Sequence, residues 1–439
     1  MRIRTELGFA ALVLGMLLAQ LDTSVVVAAL PSIGREFGAG EAIVGVTAAY
    51  LLTVTITTPI AGKLGDIFGR RKVFAASVLV FAAGSLACAL SGSMLPLVLA
   101  RALQGVGGAG LIVTAVSALG ELFDKAELLR RQIWLTAATA VSALAGPPVG
   151  GLVAVAWHWS AIFLINLPLC AIALVFGVAG VPSVRSGSRR FDVLGTVLIA
   201  CMASGVVLLG SFERLANSLV WAPVLLVVAI GGAVCFVVVE RRVSDPLIPP
   251  ALFAVPALAR SIAVTGLSGI ALFGTFAFMP LAVIARTGYD ATTVSGMLVA
   301  LTGGQLAVTS TFSVVARRFP RLASWGRLAL GMGAAGLGSL ALALVPGPVA
   351  AIAGLTLSGA ALGLSMQAYT LLGVTTAPRA HFGSAMATLT FARQLGGSLG
   401  AAVFGWLVIV VPDGVSVALC VAAVVLVTGL VVAPSDGGD

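Results

Sequence analysis

Residues 62–91 read GKLGDIFGRRKVFAASVLVFAAGSLACALS. The first eleven positions carry five charged residues and three glycines, and the next nineteen carry no charge. Nineteen mostly apolar residues form a helix about 28 Å long, close to the thickness of a bilayer's hydrocarbon core. A compact charged turn before such a run is the sequence of a loop at a membrane surface. The same alternation continues in both directions. Mostly apolar runs recur at roughly 8–30, 42–60, 73–91, 95–118, 132–155, 161–181, 193–210, 218–239, 260–284, 292–313, 327–345, 349–372, 383–411 and 414–433. The pattern predicts an all-α polytopic membrane protein with fourteen spans.

Composition excludes the alternatives. Of 439 residues 59% are hydrophobic and 9% charged, and mean hydropathy is +1.13. A soluble domain carries about 25% charge, so this chain could not cover a water-facing surface. Such hydrophobicity equally excludes disorder. The net charge of +9 is no nucleic-acid footprint, because the basic residues fall in short clusters between apolar runs. Cys88, Cys170, Cys201, Cys235 and Cys420 lie inside those runs without any CxxC pair, and read as packing residues.

The basic clusters orient the spans. With the N-terminus cytoplasmic, twenty Lys and Arg fall in cytoplasmic segments; only Arg35, Arg214 and Arg286 fall outside, and Arg101 and Arg393 lie within spans. That bias predicts an even span number with both termini cytoplasmic. The second loop of spans 1–6 (Lys63 to Lys72) and of spans 9–14 (Arg317 to Arg327) are both basic. The expected organisation is a six-helix bundle over 1–185, an inserted transmembrane hairpin of spans 7 and 8 over 186–245, and a second six-helix bundle over 246–439. Paired halves with a site between them at the midplane are a recurrent transporter plan.

Gly62-Lys-Leu-Gly65-Asp66-Ile-Phe-Gly69-Arg70-Arg71-Lys72 resembles the signature of the major facilitator superfamily at the loop between spans 2 and 3. Ile67 departs from the basic residue usual there. The resemblance implies a cytoplasmic latch built from Gly62, Asp66, Gly69, Arg70 and Arg71, with Asp66 accepting from a helix N-terminus and pairing with Arg70. Leu21-Asp22-Thr23 through Ala29-Leu30-Pro31 is similar to the first-span motif of the 14-span drug:proton antiporters. Arg101-Ala-Leu-Gln104-Gly105-Val-Gly107 resembles the motif of proton-coupled exporters. Ser142-Ala-Leu-Ala-Gly146-Pro147-Pro148-Val-Gly150-Gly151 resembles the antiport motif, with Ser142 where Gly is usual. Trp157-His158-Trp159, Ile165-Asn166-Leu-Pro168, Asp245-Pro246-Leu247 and Arg393-Gln394-Leu-Gly396 extend the resemblance over nearly the whole chain. What it implies is the major facilitator fold and proton-coupled antiport.

Two formal motifs are decoys. Gly105-Val-Gly107-Gly108-Ala-Gly110 matches GxGxxG but follows the start of a membrane helix instead of a strand, so its glycines read as helix packing. Gly396-Gly397-Ser398-Leu-Gly400 matches GxSxG, but the only histidines, His158 and His381, fall in loops on opposite membrane sides. No GxxxxGK[ST] occurs, so transport would draw on a gradient. No catalytic residue, metal site or cofactor is expected.

Charges inside spans are costly and usually functional. Asp22 and Arg101 both fall roughly 10–12 Å below the outer surface at 1.5 Å per residue. If spans 1 and 4 are neighbours, as the resemblance implies, they can pair. Protonating Asp22 would then release Arg101, and proton and substrate would be alternatives. Gln104, one turn on, would hold the freed guanidinium or bind substrate. Read statically, the same pair only fixes helix packing. Gly146-Pro147-Pro148 should bend span 5, with Gly150 and Gly151 adding a close-packing face. Arg393, with Gln394 beside it, either contacts substrate or satisfies backbone carbonyls. Phe273, Phe276, Phe278, Met279, Met366, Gln367 and Tyr369 are candidate cavity residues, or plain packing. Spans 9–14 carry no carboxylate, which predicts an apolar cavity favouring neutral or weakly acidic amphipathic compounds over dications.

The expected function is proton-coupled efflux of small hydrophobic or amphipathic compounds such as antibiotics, by alternating access. Alternatives are a dedicated exporter of one metabolite, a gradient-independent facilitator, a non-transporting membrane receptor and a multispan enzyme. The expected partners are a small-molecule substrate, protons and the bilayer, without nucleic acid. The expected state is a monomer, multi-pass in the cytoplasmic membrane.

Overall fold

The computed structural model describes residues 2–38, 44–123, 125–181, 191–211, 221–275, 291–319, 321–343, 348–378 and 381–435. These residues form fourteen α-helices and no strand. The helices are α1 (Arg2–Phe37), α2 (Val44–Phe68), α3 (Arg70–Ala89), α4 (Met94–Leu122), α5 (Lys125–Ala156), α6 (Ala161–Gly180) and α7 (Val193–Ser211). They continue with α8 (Trp221–Glu240), α9 (Pro256–Ser268), α10 (Ala291–Arg318), α11 (Leu322–Ala343), α12 (Pro348–Thr376), α13 (Phe382–Val410) and α14 (Gly414–Val432). A π-helical turn, Gly269–Phe273, extends α9. Eleven helices of the described residues are long and apolar enough to cross a membrane. An all-helical build follows from the solvent: lipid offers no hydrogen bonds, so each segment must satisfy its own backbone.

The chain separates into two compact units. One comprises residues 1–250 with 378–388, the other residues 251–377 with 389–439. In the first unit, α4 is the central helix. It packs on α1, α2 and α3, and α1 packs in turn on α5 and α6. The glycines of the GxGxxG decoy make this possible: a Cβ on Gly107 would lie 2.4 Å from the Phe81 nitrogen of α3, and one on Gly105 2.6 Å from the Tyr50 carbonyl of α2. Leu95, Leu99 and Leu103 form the opposite, exposed stripe of α4, which suits lipid. α7 and α8 pack on each other, and α7 packs against α2.

In the second unit α12 is the central helix, packed on α9, α10 and α11; α14 packs on α9 and α11. Its core is built of Leu, Ala, Val and Phe, including Leu272, Leu330, Leu337, Leu355 and Phe404. None of α9 to α14 contains an Asp or Glu.

α5 runs without interruption through Pro147 and Pro148, both of which are exposed. Helical structure thus continues through both prolines.

Candidate functional site

Five helices of the first unit converge on one carboxylate. Asp22 of α1 is 2% exposed, and Arg101 and Gln104 of α4 are fully buried. Arg101 Nη1 donates to Asp22 Oδ2 at 2.5 Å and to Gln104 Oε1 at 2.6 Å. Gln104 Nε2 donates to Asp22 Oδ1 at 2.8 Å and to Ser85 Oγ of α3 at 2.7 Å. Asn166 of α6 adds a second carboxamide, donating to Asp22 Oδ1 at 3.1 Å and Ser85 Oγ at 3.2 Å. α2 supplies the Val46 carbonyl, which accepts from Arg101 Nε at 3.3 Å, and the Tyr50 ring, 4.2 Å from the guanidinium carbon. The Tyr50 hydroxyl donates to the Ala19 carbonyl of α1 at 3.0 Å, which fixes the ring.

This arrangement stabilises an ionised Asp22 in a dry interior through one guanidinium and two carboxamides. It also provides for the opposite state. If Asp22 takes a proton, Arg101 retains Gln104 Oε1, the Val46 carbonyl and the Tyr50 face. Arg101 Nη2 is buried without a hydrogen-bond partner, so the guanidinium has unused donor capacity even in the closed network. Gln104 is fully enclosed in this network and lines no open space here.

α5 touches this site from behind. A Cβ on Gly146 would sit 2.3 Å from the Ser24 Cβ of α1, and one on Gly150 2.4 Å from the Val25 carbonyl. Gln20 Nε2 also donates to Thr139 Oγ1 of α5 at 3.3 Å. The two glycines seat α5 on α1 within one turn of Asp22. Gly151 faces open space and makes no such contact, because it is rotated about 100° from Gly150 around the helix.

The turn at 62–72 forms a second network. Gly69 has φ +88°, a backbone conformation that glycine alone adopts readily, and it sets α3 off from α2. Arg70 pairs with Asp66, donates through Nε to Glu121 Oε1 at 3.1 Å and through Nη1 to the Gly62 carbonyl at 3.2 Å. Asp66 accepts from the Gly383 and Ser384 backbone nitrogens at 3.2 and 3.0 Å and from Ser384 Oγ at 2.7 Å. The carboxylate therefore caps the N-terminus of α13, whose first two turns belong to the first unit. Gly62 allows α13 to approach: a Cβ there would lie 2.3 Å from the Ala387 Cβ. Arg71 Nε donates to the Val181 carbonyl at the C-terminus of α6 at 2.8 Å, and Lys63 Nζ to the Pro246 carbonyl at 3.0 Å.

In the second unit Arg393 Nη2 donates to Thr370 Oγ1 of α12 at 3.1 Å. Gln367 is buried one turn earlier on α12, and Gln394 is half-buried beside Arg393. Phe276, Phe278 and Met279 lie outside the described residues.

Sequence reasoning singled out Asp22, Arg101 and Gln104, and the structure brings them together. It passed over Ser85, Asn166 and Tyr50 as site members, and Ser384 as the partner of Asp66. Asn166 had a signal, since an amide in a span so apolar needs a reason. Ser85 and Tyr50 had none, because nothing in a single span says which face meets α4.

A family model for the Major Facilitator Superfamily matches residues 12–401. The chain is 32% identical over 426 residues to an uncharacterised MFS-type transporter of Mycobacterium tuberculosis, covering 92% of this chain and 59% of that protein. It therefore spans less than two thirds of that relative's length. The multidrug resistance protein Stp of M. tuberculosis is 30% identical over 89% of this chain and 74% of its own. The multidrug transporter protein MdtP of Bacillus subtilis is 28% identical over 92% and 75%. Among solved structures, the human organic anion transporter MFSD10 superposes with a TM-score of 0.73 at 13% identity, covering 98% of this chain and 99% of that one. The proton:xylose symporter XylE superposes with 0.70 at 15% identity, covering 98% and 95%. Those two establish the fold alone. The chain belongs to the major facilitator superfamily and is a multi-pass membrane protein.

Proposed function

We propose that this protein exports small hydrophobic or amphipathic compounds in exchange for protons. The observation that carries the reading is the buried Asp22–Arg101 pair with its two carboxamides, set in an otherwise apolar bundle. A carboxylate so enclosed is expensive to keep merely for packing, and intramembrane acids commonly mark proton relays. Protonation cancels the Asp22 charge and loosens its hold on Arg101 and on α6 through Asn166. Deprotonation restores both. The close seating of α5 on α1 next to Asp22 would convert that change into a shift between the two helices.

The Asp66 network is the proposed latch. It grips the first turn of α13, a helix whose remainder belongs to the second unit, so its release accompanies the alternation of access. The names of the relatives Stp and MdtP support drug-like compounds as cargo. On this reading all fourteen helices span, α7 and α8 are an inserted hairpin between two six-helix halves, both termini are cytoplasmic, and the chain works as a monomer.

The test is uptake into inverted vesicles under an imposed pH gradient, with a panel of lipophilic dyes and antibiotics, for the wild type and Asp22→Asn. The expected result is gradient-driven uptake by the wild type and none by Asp22→Asn, with equal amounts of folded protein in the membrane. Undiminished uptake by Asp22→Asn removes the coupling role.

A further inference from the structure

Arg393 is the one arginine of the described second-unit helices set deep within a helix, eleven residues past the start of α13. A guanidinium at that depth normally finds a carboxylate. Here it makes no ion pair with any described residue, and its hydrogen-bond partner is the neutral Thr370 hydroxyl. Its own half of the chain has almost nothing to offer. After residue 250 the acids are Asp290, Asp413, Asp436 and Asp439, all outside helices α9 to α14. Asp413 lies beyond the far end of α13, about 25 Å from Arg393 along the helix axis.

The surroundings pack closely against the Arg393 backbone. The π-helical turn after α9 packs so closely that a Cβ on Gly269 would lie 2.5 Å from the Arg393 carbonyl. π-turns of this kind recur at functional sites. Across from it, Thr370 and Gln367 stand three residues apart on one face of α12. Gln367 is 1% exposed, and its Nε2 has no acceptor. Among the described residues, a positive charge without an ion pair and a buried amide donor without an acceptor thus stand on α13 and α12, joined by the Arg393–Thr370 hydrogen bond. A ligand that fits both is an anion with at least two acceptor oxygens, such as a carboxylate.

We infer that Arg393 is the docking point for one negative charge on the transported compound, with Gln367 as a second donor and Thr370 holding the guanidinium in the unloaded state. The inference rests on the export reading for its physiological meaning and names the preferred cargo as amphipathic monoanions. Arg393 and Arg101 then have different duties. Arg101 is neutralised from within, and Arg393 by the cargo.

The experiment is equilibrium dialysis of the purified full chain in nanodiscs, with empty nanodiscs as the blank. The ligands are naphthoate, naphthamide and naphthylmethylammonium, one aromatic body carrying a negative, a neutral and a positive group. The wild type should bind naphthoate about tenfold or more tightly than naphthamide, the increment of a charge-assisted hydrogen bond, and naphthylmethylammonium least. Arg393→Met should bring naphthoate down to the level of naphthamide, and Arg393→Lys should keep most of the preference. Should Arg393→Met fail to fold, Gln367→Leu provides the second variant, with the acid preference reduced and naphthamide binding unchanged. Equal affinity of the wild type for acid and amide, binding of none of the three, or an acid preference that survives both Arg393→Met and Gln367→Leu overturns the inference. Dialysis involves no pH gradient, so failure of the Asp22 coupling leaves this result standing, and the reverse also holds.

Discussion

The two units handle an intramembrane arginine in opposite ways. In the first, Arg101 meets a carboxylate, a carboxamide, a carbonyl and an aromatic face, and the Gln104 and Asn166 carboxamides complete the shell around Asp22. In the second, Arg393 has a threonine hydroxyl in helices that contain no acid. The difference is one of electrostatic closure. A closed network can change state by taking up a proton, because protonation breaks an interaction already made. An open cation can change state only by binding something from outside. On the proposed reading, one unit serves the proton and the other the cargo.

The sharpest way to break this comparison is to remove both cations in turn. Arg101→Met strands Asp22 in the interior and should destabilise the protein by about 3–5 kcal/mol. Arg393→Met loses one neutral hydrogen bond and should cost about 1 kcal/mol or less. Thermal unfolding in detergent compares them, and the double variant Asp22→Asn with Arg101→Met should recover much of the first loss. Equal costs for the two arginines would mean that Arg393 has an internal counter-charge after all.

Asp66→Asn should cost about 2–3 kcal/mol, because a charged acceptor of three bonds from the start of α13 and an ion pair to Arg70 is lost. Faster exchange of the Gly383 and Ser384 amides would report the release. Gly150→Ala should cost about 1–3 kcal/mol, since its new methyl meets the Val25 carbonyl, whereas Gly151→Ala meets nothing and should be neutral or slightly stabilising. Thermal unfolding of the two neighbours separates a packing glycine from a motif glycine. A modest cost, about 1 kcal/mol, is expected for Asn166→Ala, which leaves Asp22 with Arg101 and Gln104. Its export rate under a pH gradient sharpens the comparison further: a drop larger than the stability loss would place Asn166 in the coupling itself.

Much of this protein was legible from the chain alone. Hydropathy located the helices because lipid forces every apolar run of sufficient length to satisfy its own backbone, whatever lies beside it. The rarity of charge within those runs exposed Asp22, Arg101 and Arg393, since a charge in hydrocarbon is too costly to be incidental. Distances around the helix axis were not legible. Gly150 and Gly151 are adjacent in sequence and similar in chemistry, yet one seats α5 on α1 and the other faces open space. Ser85, Asn166 and Tyr50 became part of the Asp22 shell only when α2, α3 and α6 met α4 at particular rotations. A span's own residues set its length and depth, but which face turns inward is decided by the shapes of its neighbours. Tertiary packing alone could therefore show that Arg101 meets a carboxylate, whereas among the described residues Arg393 meets a threonine hydroxyl.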